Sequence, residues 1–325
     1  QLTKKTKKVT KEMLTQLFCD IDDFMKEFES EYKKKLLEDK ETHTKINSQL
    51  SMSEVMTIVV FYHGYGNRTF KDFYIKTVQK SLKSAFPKLV SYNRFIELVP
   101  TVLIPLIGFL KMKRLVCSDE ITFIDSTKIA VCHNKRITRN KTFEGVAQRG
   151  KSSMGWFYGF KLHIAVTQKG ELCGAYISTG NTDDREIDVL DIVLQGVKGK
   201  LYADKGYISQ EHFRHLFNKG ITLVTSIRKN MKNRLMPLID KLLLRKRSVI
   251  ETINDQLKNI CDIEHTRHRS YRNFCVNMVA GLIRYTYFEK KPSINFSTQE
   301  MEWLKGAFGD PRETNGLNCL PLLCV

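Results

Sequence analysis

The sequence predicts an α/β protein: a mixed five-stranded sheet with flanking helices, preceded by an all-α N-terminal segment. Three observations carry this. Up to about residue 115 the apolar positions recur at helical spacing. From 121 they change to short β-branched and aromatic runs, and after 181 strand-like and helix-like stretches alternate. At 325 residues the chain can bury a full core, and 42% hydrophobic with 27% charged residues is the composition of a folded protein.

The elements follow in order. Residues 1 to 9 form a basic arm. Met13, Leu14, Leu17, Phe18, Ile21, Phe24 and Phe28 recur at helical spacing, and residues 38 to 50 read as a polar connector. Ser51 with Glu54 three residues on is a capping box, so a helix starts there and runs to a glycine-containing turn at 63 to 67. Helices are expected over about 70 to 86 and 92 to 115. Helix, glycine turn, helix is the shape of a helix-turn-helix, so residues 45 to 115 read either as a DNA-end-binding module or as a plain bundle.

Ile121 to Asp125 reads as a buried strand ending in a charge, and 145 to 155 as a Gly/Ser-containing loop. Strands over 156 to 167 and 171 to 178, joined by Gln168-Lys169-Gly170, complete an antiparallel meander. A helix is expected from 181, with Asp183 and Glu186 at N-cap and N3 spacing. A strand at 200 to 204, a helix at 209 to 218 and a strand at 221 to 227 come next. A basic connector then leads to 241 to 246, the helix of Glu251 and a last helix over 271 to 289. The expected domains are 1–115, 116–295 and a peripheral tail, 296–325. A start at Gln1 rather than Met predicts that the natural chain begins upstream.

Lys and Arg number 53 against 35 Asp and Glu, a formal charge of +18, which predicts a polyanionic partner: nucleic acid or an anionic membrane surface. The longest apolar run, 99 to 110, is too short to span a bilayer and carries Pro100 and Pro105, so it predicts a buried helix and no membrane partner. No secretory segment follows the lysine-rich start. Eight cysteines without a CxxC pair predict reduced thiols and a cytoplasmic location.

A second strand-like run, Leu201 to Ala203, also ends in an aspartate, Asp204, and the helical pattern after Arg247 carries Glu251 early. Acids at the ends of neighbouring strands point at one edge of the sheet, and a helix across that edge can add a third. Three hard oxygen donors suit Mg²⁺ or Mn²⁺, two of which can drive an in-line displacement at phosphorus. Each acid alone has a plainer reading: Asp125 as a turn cap, Asp204 paired with Lys205, Glu251 paired with Arg247 on a solvated face.

The ordered set FIDST, GFKLH with NTDDREI, YADKGY and RSVIETINDQLK resembles the bacterial insertion-sequence transposases of the DDE class over roughly 115 to 290. The resemblance implies an RNase H-like catalytic domain with Asp125, Asp204 and Glu251 as catalytic, metal-holding residues. It also implies Mg²⁺ or Mn²⁺ as cofactor, double-stranded DNA (terminal inverted repeats and target) as partner, and at least a homodimer on DNA. Relatives often have His-Asp where this chain has Asp183-Asp184, and Arg247 is the basic residue expected four before the glutamate. The Tyr-Arg-Glu-Lys signature of some branches is absent, Val249 standing two before Glu251.

Other residues have two readings each. Strand alternation puts Lys161 and His163 on one face, so His163 reads either as a core histidine or as a neighbour of Asp125. Asp184, Lys205 and Arg247 also count as site-adjacent. Trp156 and Tyr158 read as core aromatics or as stacking surfaces for bases. Cys261, His265, His268 and Cys275 do not match finger spacing for zinc. Lys135, Arg136, Arg139, Lys141, Arg228, Lys229, Lys232, Arg234, Arg245, Lys246 and Lys258 are candidates for phosphate contact or for ordinary solvated faces.

Overall fold

The structure is a computed structural model, and it describes residues 11–38, 49–67, 69–118, 120–152, 155–226, 235–265 and 268–300, with backbone alone for 31–38. The helical part opens with α1 (Lys11–Glu38) and α2 (Met52–Tyr62). The capping box starts α2 as expected: Ser51 Oγ accepts from the Glu54 N–H at 3.1 Å, and Glu54 accepts from the Ser51 N–H at 2.7 Å. The next helical stretch is α3 (Phe70–Phe73), a π-type turn at Tyr74–Val78 and α4 (Gln79–Ser81). It is followed by α5 (Tyr92–Leu98), a 3-10 turn at Val99–Val102, α6 (Leu103–Phe109) and a π-type turn at Leu110–Arg114. The 3-10 turn falls beside Pro100 and Pro105, which have no N–H to give an α-helical ladder. Contrary to expectation, the continuous stretch Tyr92–Arg114 is, at 23 residues, long and apolar enough to cross a membrane by length and composition. Its inner face is buried against α1, α2 and the last helix.

Six strands form one sheet: β1 (Ile121–Ala130), β2 (Gln148–Ser152), β3 (Gly155–Thr167), β4 (Leu172–Thr179), β5 (Gly199–Ala203) and β6 (Ile221–Thr225). β1, β3 and β4 make the antiparallel meander, while β5 pairs parallel with β1 and β6 parallel with β5. The order β4-β3-β1-β5-β6 is the RNase H-like plan. The sixth strand, β2, lies in the stretch expected to be a loop and pairs with the start of β3. Gly150 makes this possible, because a Cβ there would collide with the Gly180 carbonyl. β1 also runs past its expected end, so Asp125 sits mid-strand.

Helices α7 (Ile187–Val193), α8 (Gln210–Asn218), α9 (Leu238–Lys246), α10 (Ser248–Asn259) and α11 (Tyr271–Thr286) complete the fold. α7 starts later than expected. Asp183 does not cap it; it accepts from the Arg185 backbone and side chain at 3.0 Å, closing a turn ahead of the helix. One sheet face, with Phe123, Ile164 and Tyr202, joins α10, α11 and the N-terminal helices in a core that runs from Leu14 to Tyr285. The other face, with Ile124, Ala165 and Leu201, packs on α7 and α8. The segments expected as domains 1–115 and 116–295 thus share one core.

α11 is the hinge-pin of that core, touching α2, α6 and α10. Its Gly281 sits mid-helix, where glycine is intrinsically unfavourable, because a Cβ would meet Ile263 Cγ2. Overpacking of this kind costs about 1–3 kcal/mol. Gly281→Ala is expected to lower stability by that amount in denaturant unfolding. Gly206→Ala, where a Cβ meets nothing within 4 Å, is expected to leave the midpoint unchanged.

Candidate active site

The register of β1 and β5 places two of the three acids. Their parallel pairing ends at the couple Phe123↔Tyr202, whose rings stack at 5.4 Å. Asp125 and Asp204 each lie two residues beyond that couple. Strand alternation therefore returns both to the Phe123–Tyr202 face, just where the pairing stops and an edge opens. Both line one cleft, with Ser126, Lys161, Asp184 and Tyr207 on its walls. α10 lies along the same face. Arg247 Nη1 reaches Asp125 Oδ1 at 3.5 Å, Asn254 Nδ2 donates to Asp125 Oδ2 at 3.1 Å, and Lys258 Nζ donates to the Lys128 carbonyl at 2.6 Å. Arg247 also bridges to Glu251 Oε1 at 3.2 Å.

The acids differ in setting. Asp125 is mostly buried, and burial pushes its carboxyl up to about 6; the Arg247 guanidinium opposes this, while the charges of Glu251 and Asp184 add to it. Asp204 is exposed, and its Oδ1 accepts from the Lys205 N–H at 2.8 Å, capping the turn Lys205–Tyr207. Glu251 is exposed in the first turn of α10. Its plain reading, an i,i+4 pair with Arg247, is what the structure shows, but Arg247 ties it to Asp125 at the same time.

Lys161 and His163 leave β3 on the side of Ser126 and Lys128, although Lys161 still reaches the wall of the cleft. The register Ser126↔His163 and Asp125↔Ile164 sets His163 opposite in parity to Asp125, and of its two readings the core histidine is the one seen, with Nδ1 3.8 Å from Asp184 Oδ1. His163 is buried, shares a hydrogen bond of 2.7 Å with Ser178 Oγ, and burial holds its pKa down at about 4. Lys161 Nζ pairs with Asp184 at 3.0 Å and donates to the Thr182 carbonyl at 2.7 Å.

The donors fit a hard divalent cation in chemistry, being carboxylates, with the charges of Glu251 and Asp184 felt at Asp125. Two buried oxygens beside them, Asn254 Oδ1 and Tyr207 Oη, have no hydrogen-bond partner. Among the described residues, however, no three His, Cys, Asp or Glu side chains are close enough to grip one ion; Arg247 stands between two of the acids. The same finding covers Cys261, His265, His268 and Cys275.

Tyr207 and Asn254 are the site residues that motif reading passed over. The hydroxyl of Tyr207 is buried among Asp184, Asp125 and Asp204, and desolvation with these charges raises its pKa well above normal. Asn254 was findable, lying three residues after Glu251 and seven after Arg247 on one helix stripe. Trp156, against the default of core packing, is exposed, with Lys151 Nζ 5.8 Å from its ring centroid, while Tyr158 donates to the Phe143 carbonyl. Lys135, Arg136, Arg139 and Lys141 are exposed after β1, and Arg245 is exposed on α9. Lys246 pairs with Glu300 at 2.8 Å and Lys258 with Glu264 at 3.3 Å. Arg228, Lys229, Lys232 and Arg234 lie outside the described residues.

A folded pKa near 6 against an ordinary value of 3.8 for Asp125 is a shift of about two units, about 3 kcal/mol at 1.36 per unit. For a raised acid this stability is present below the ordinary pKa and lost as pH rises through 6. A cation on the ionised carboxylate offsets the loss. Mg²⁺ or Mn²⁺ is therefore expected to raise the melting temperature at pH 8 and to have little effect at pH 5. Asp125→Asn should abolish the difference in thermal melts.

Residues 116–271 match the family model described as the transposase DDE domain. No protein of curated function matches the chain. Among solved structures, the piggyBac transposase synaptic complex with hairpin DNA is similar at 11% identity over 85% of this chain and 77% of that one, TM-score 0.41. The intasome of simian T-cell lymphotropic virus in complex with PP2A regulatory subunit B56 gamma is similar at 14% identity over 70% and 74%, TM-score 0.26. The Mos1 strand transfer complex is similar at 9% identity over 77% and 82%, TM-score 0.21. Four motifs in order, an RNase H-like strand plan and the family match agree: the chain carries a transposase DDE domain at residues 116–271.

Proposed function

We propose that the chain is the DNA transposase of a bacterial insertion sequence, which cuts phosphodiesters at the ends of its element and joins the freed 3′-OH to target DNA. The observation that supports this most is the placement of Asp125 and Asp204 two residues beyond Phe123↔Tyr202, on the face crossed by the helix of Glu251. In this reading Asp125, Asp204 and Glu251 hold Mg²⁺ or Mn²⁺, which when bound activates the attacking oxygen and stabilises the leaving one. The other residues orient and neutralise. Asn254 and Arg247 hold the Asp125 carboxylate by both oxygens. Lys161 balances Asp184, and Lys128 and Lys151 on the cleft wall offer charge to a phosphate. No side chain forms a covalent bond to DNA.

The exposed Lys135, Arg136, Arg139, Lys141 and Arg245 track the DNA backbone in this reading, and the helical part, 1–115, binds the terminal inverted repeats. Two ends cut and joined together imply a homodimer on double-stranded DNA, acting in the cytoplasm of its host. The Arg247 bridge between Asp125 and Glu251 favours a second reading, a transposase-derived repressor that binds DNA and does not cut it. A metal-dependent nuclease that cuts without joining is the third.

Strand transfer with the DNA flanking the chain's own reading frame separates them. The wild-type chain is expected to give a joined product with Mg²⁺ or Mn²⁺. Asp204→Asn is expected to reduce it more than about 100-fold, since even groups that only support a metal ligand are worth about 10–100-fold. Cleavage without joining would leave the nuclease reading, and binding without cleavage the repressor.

A further inference from the structure

A second cavity lies away from the acidic cleft, between the N-terminal helices and the start of α11, with a volume of about 570 Å³. That falls within the roughly 300–1,000 Å³ typical of ligand pockets. One wall is aromatic: Tyr62 and Phe70 meet edge to face at 5.2 Å, and Tyr92 lies across with Lys71 Nζ 5.8 Å from its ring centroid. The other wall is α11, where Asn273 and Asn277 stand four residues apart and so on one helix face.

Each of these two amides keeps one atom unpaired, although the Asn277 side chain also hydrogen-bonds His268 on the same lining. Asn273 Oδ1 and Asn277 Nδ2 are buried without a partner, and Asn277 as a whole is only 7% exposed. A buried polar atom left unpaired costs about 1–3 kcal/mol, so the wall presents one open acceptor and one open donor side by side. The mouth is cationic. Arg269 and Lys71 stand there with Ser270, the first residue before α11, whose side chain makes no cap bond. The carboxylate on the lining, Asp262, is paired with His265 at 3.0 Å.

An aromatic slot, an adjacent donor and acceptor, and an anion-seeking mouth describe a flat heterocycle that carries a phosphate. We infer that this cavity takes one unpaired nucleotide of a DNA strand. The base lies against the Tyr62–Phe70 wall, its hydrogen-bonding edge meets Asn273 and Asn277, and its phosphate sits at Arg269, Lys71 and the N-terminus of α11. The inference rests on the reading that DNA is the partner of the chain. It adds a place where a base is held out of the stack, away from the acids.

The test uses the full chain in metal-free buffer, so that no cleavage intervenes. Fluorescence anisotropy compares a labelled 20-base-pair duplex with the same duplex carrying a single-nucleotide bulge. Wild type is expected to bind the bulged duplex at least about tenfold more tightly, the lower end of stacking and base-edge contacts. Asn273→Ala and Arg269→Ala should bring the two affinities within twofold without lowering the melting temperature, since Arg269 is exposed and Asn273 Oδ1 has no partner to lose. Asn277→Leu should do the same where it folds. A 2-aminopurine placed in the bulge should lose fluorescence on binding to the wild-type chain. Equal affinity of wild type for the two duplexes, or an advantage kept in the Asn273 and Arg269 variants, would overturn the inference and leave DNA binding standing. No binding to either duplex would overturn both readings.

Discussion

The parallel pairing of β1 with β5, and above all the point at which it stops, governs the site. Phe123 and Tyr202 form the last couple of that pairing, stacked ring on ring and buried. Because side chains alternate along a strand, the residues two further on must return to the same face. They are Asp125 and Asp204, and they emerge where β1 has lost one neighbour. A slip of one residue between the strands would send one carboxylate to the opposite face. The buried couple opposes such a slip, so hydrophobic packing beneath the site is what sets two distant acids on a common edge.

The electrostatics follow from that placement. Asp125 is carried by a strand paired on both sides up to Phe123, so it is desolvated more than Asp204 or Glu251, and its carboxyl is driven up to about 6. Arg247 answers this by lying between Asp125 and Glu251. The arrangement holds the acids near each other without an ion, and it places a guanidinium where a cation would otherwise compete for the same oxygens. On the far wall of the same cleft Lys161 is paired to Asp184, and behind them His163 is kept neutral by burial.

The helical part is bound to the sheet through α11 rather than hung from it. α11 touches α2, α6 and α10, and the buried cluster passes from Leu14 to Tyr285 without a break. This junction also creates the amide-lined cavity, which lies between the N-terminal helices and the start of α11. Local pattern reading missed the junction for a physical reason: an apolar stripe on a helix says that a face will be covered, and says nothing of what covers it. It missed β2 for a similar reason. Gln148–Ser152 is polar and glycine-bearing, and only pairing with β3 and the close approach of Gly180 make it a strand. The turn at Asp183 shows the limit of spacing rules, since the Arg185 side chain, two residues away, captured the carboxylate that would have capped α7.

The amino-acid sequence alone determined the element types, the α/β class, the order of motifs and the three acids worth watching, because each is written in short-range pattern: period, cap, and charge at the end of an apolar run. The tertiary structure decided everything that depends on register and on which surfaces meet. It put Asp125 and Asp204 on one face and His163 on the other, it drew Arg247 and Asn254 onto Asp125, and it left two asparagine groups of α11 unsatisfied inside a cavity. Parity in a sheet and contact between elements are properties of pairing, and a chain does not disclose its partners until it has folded against them.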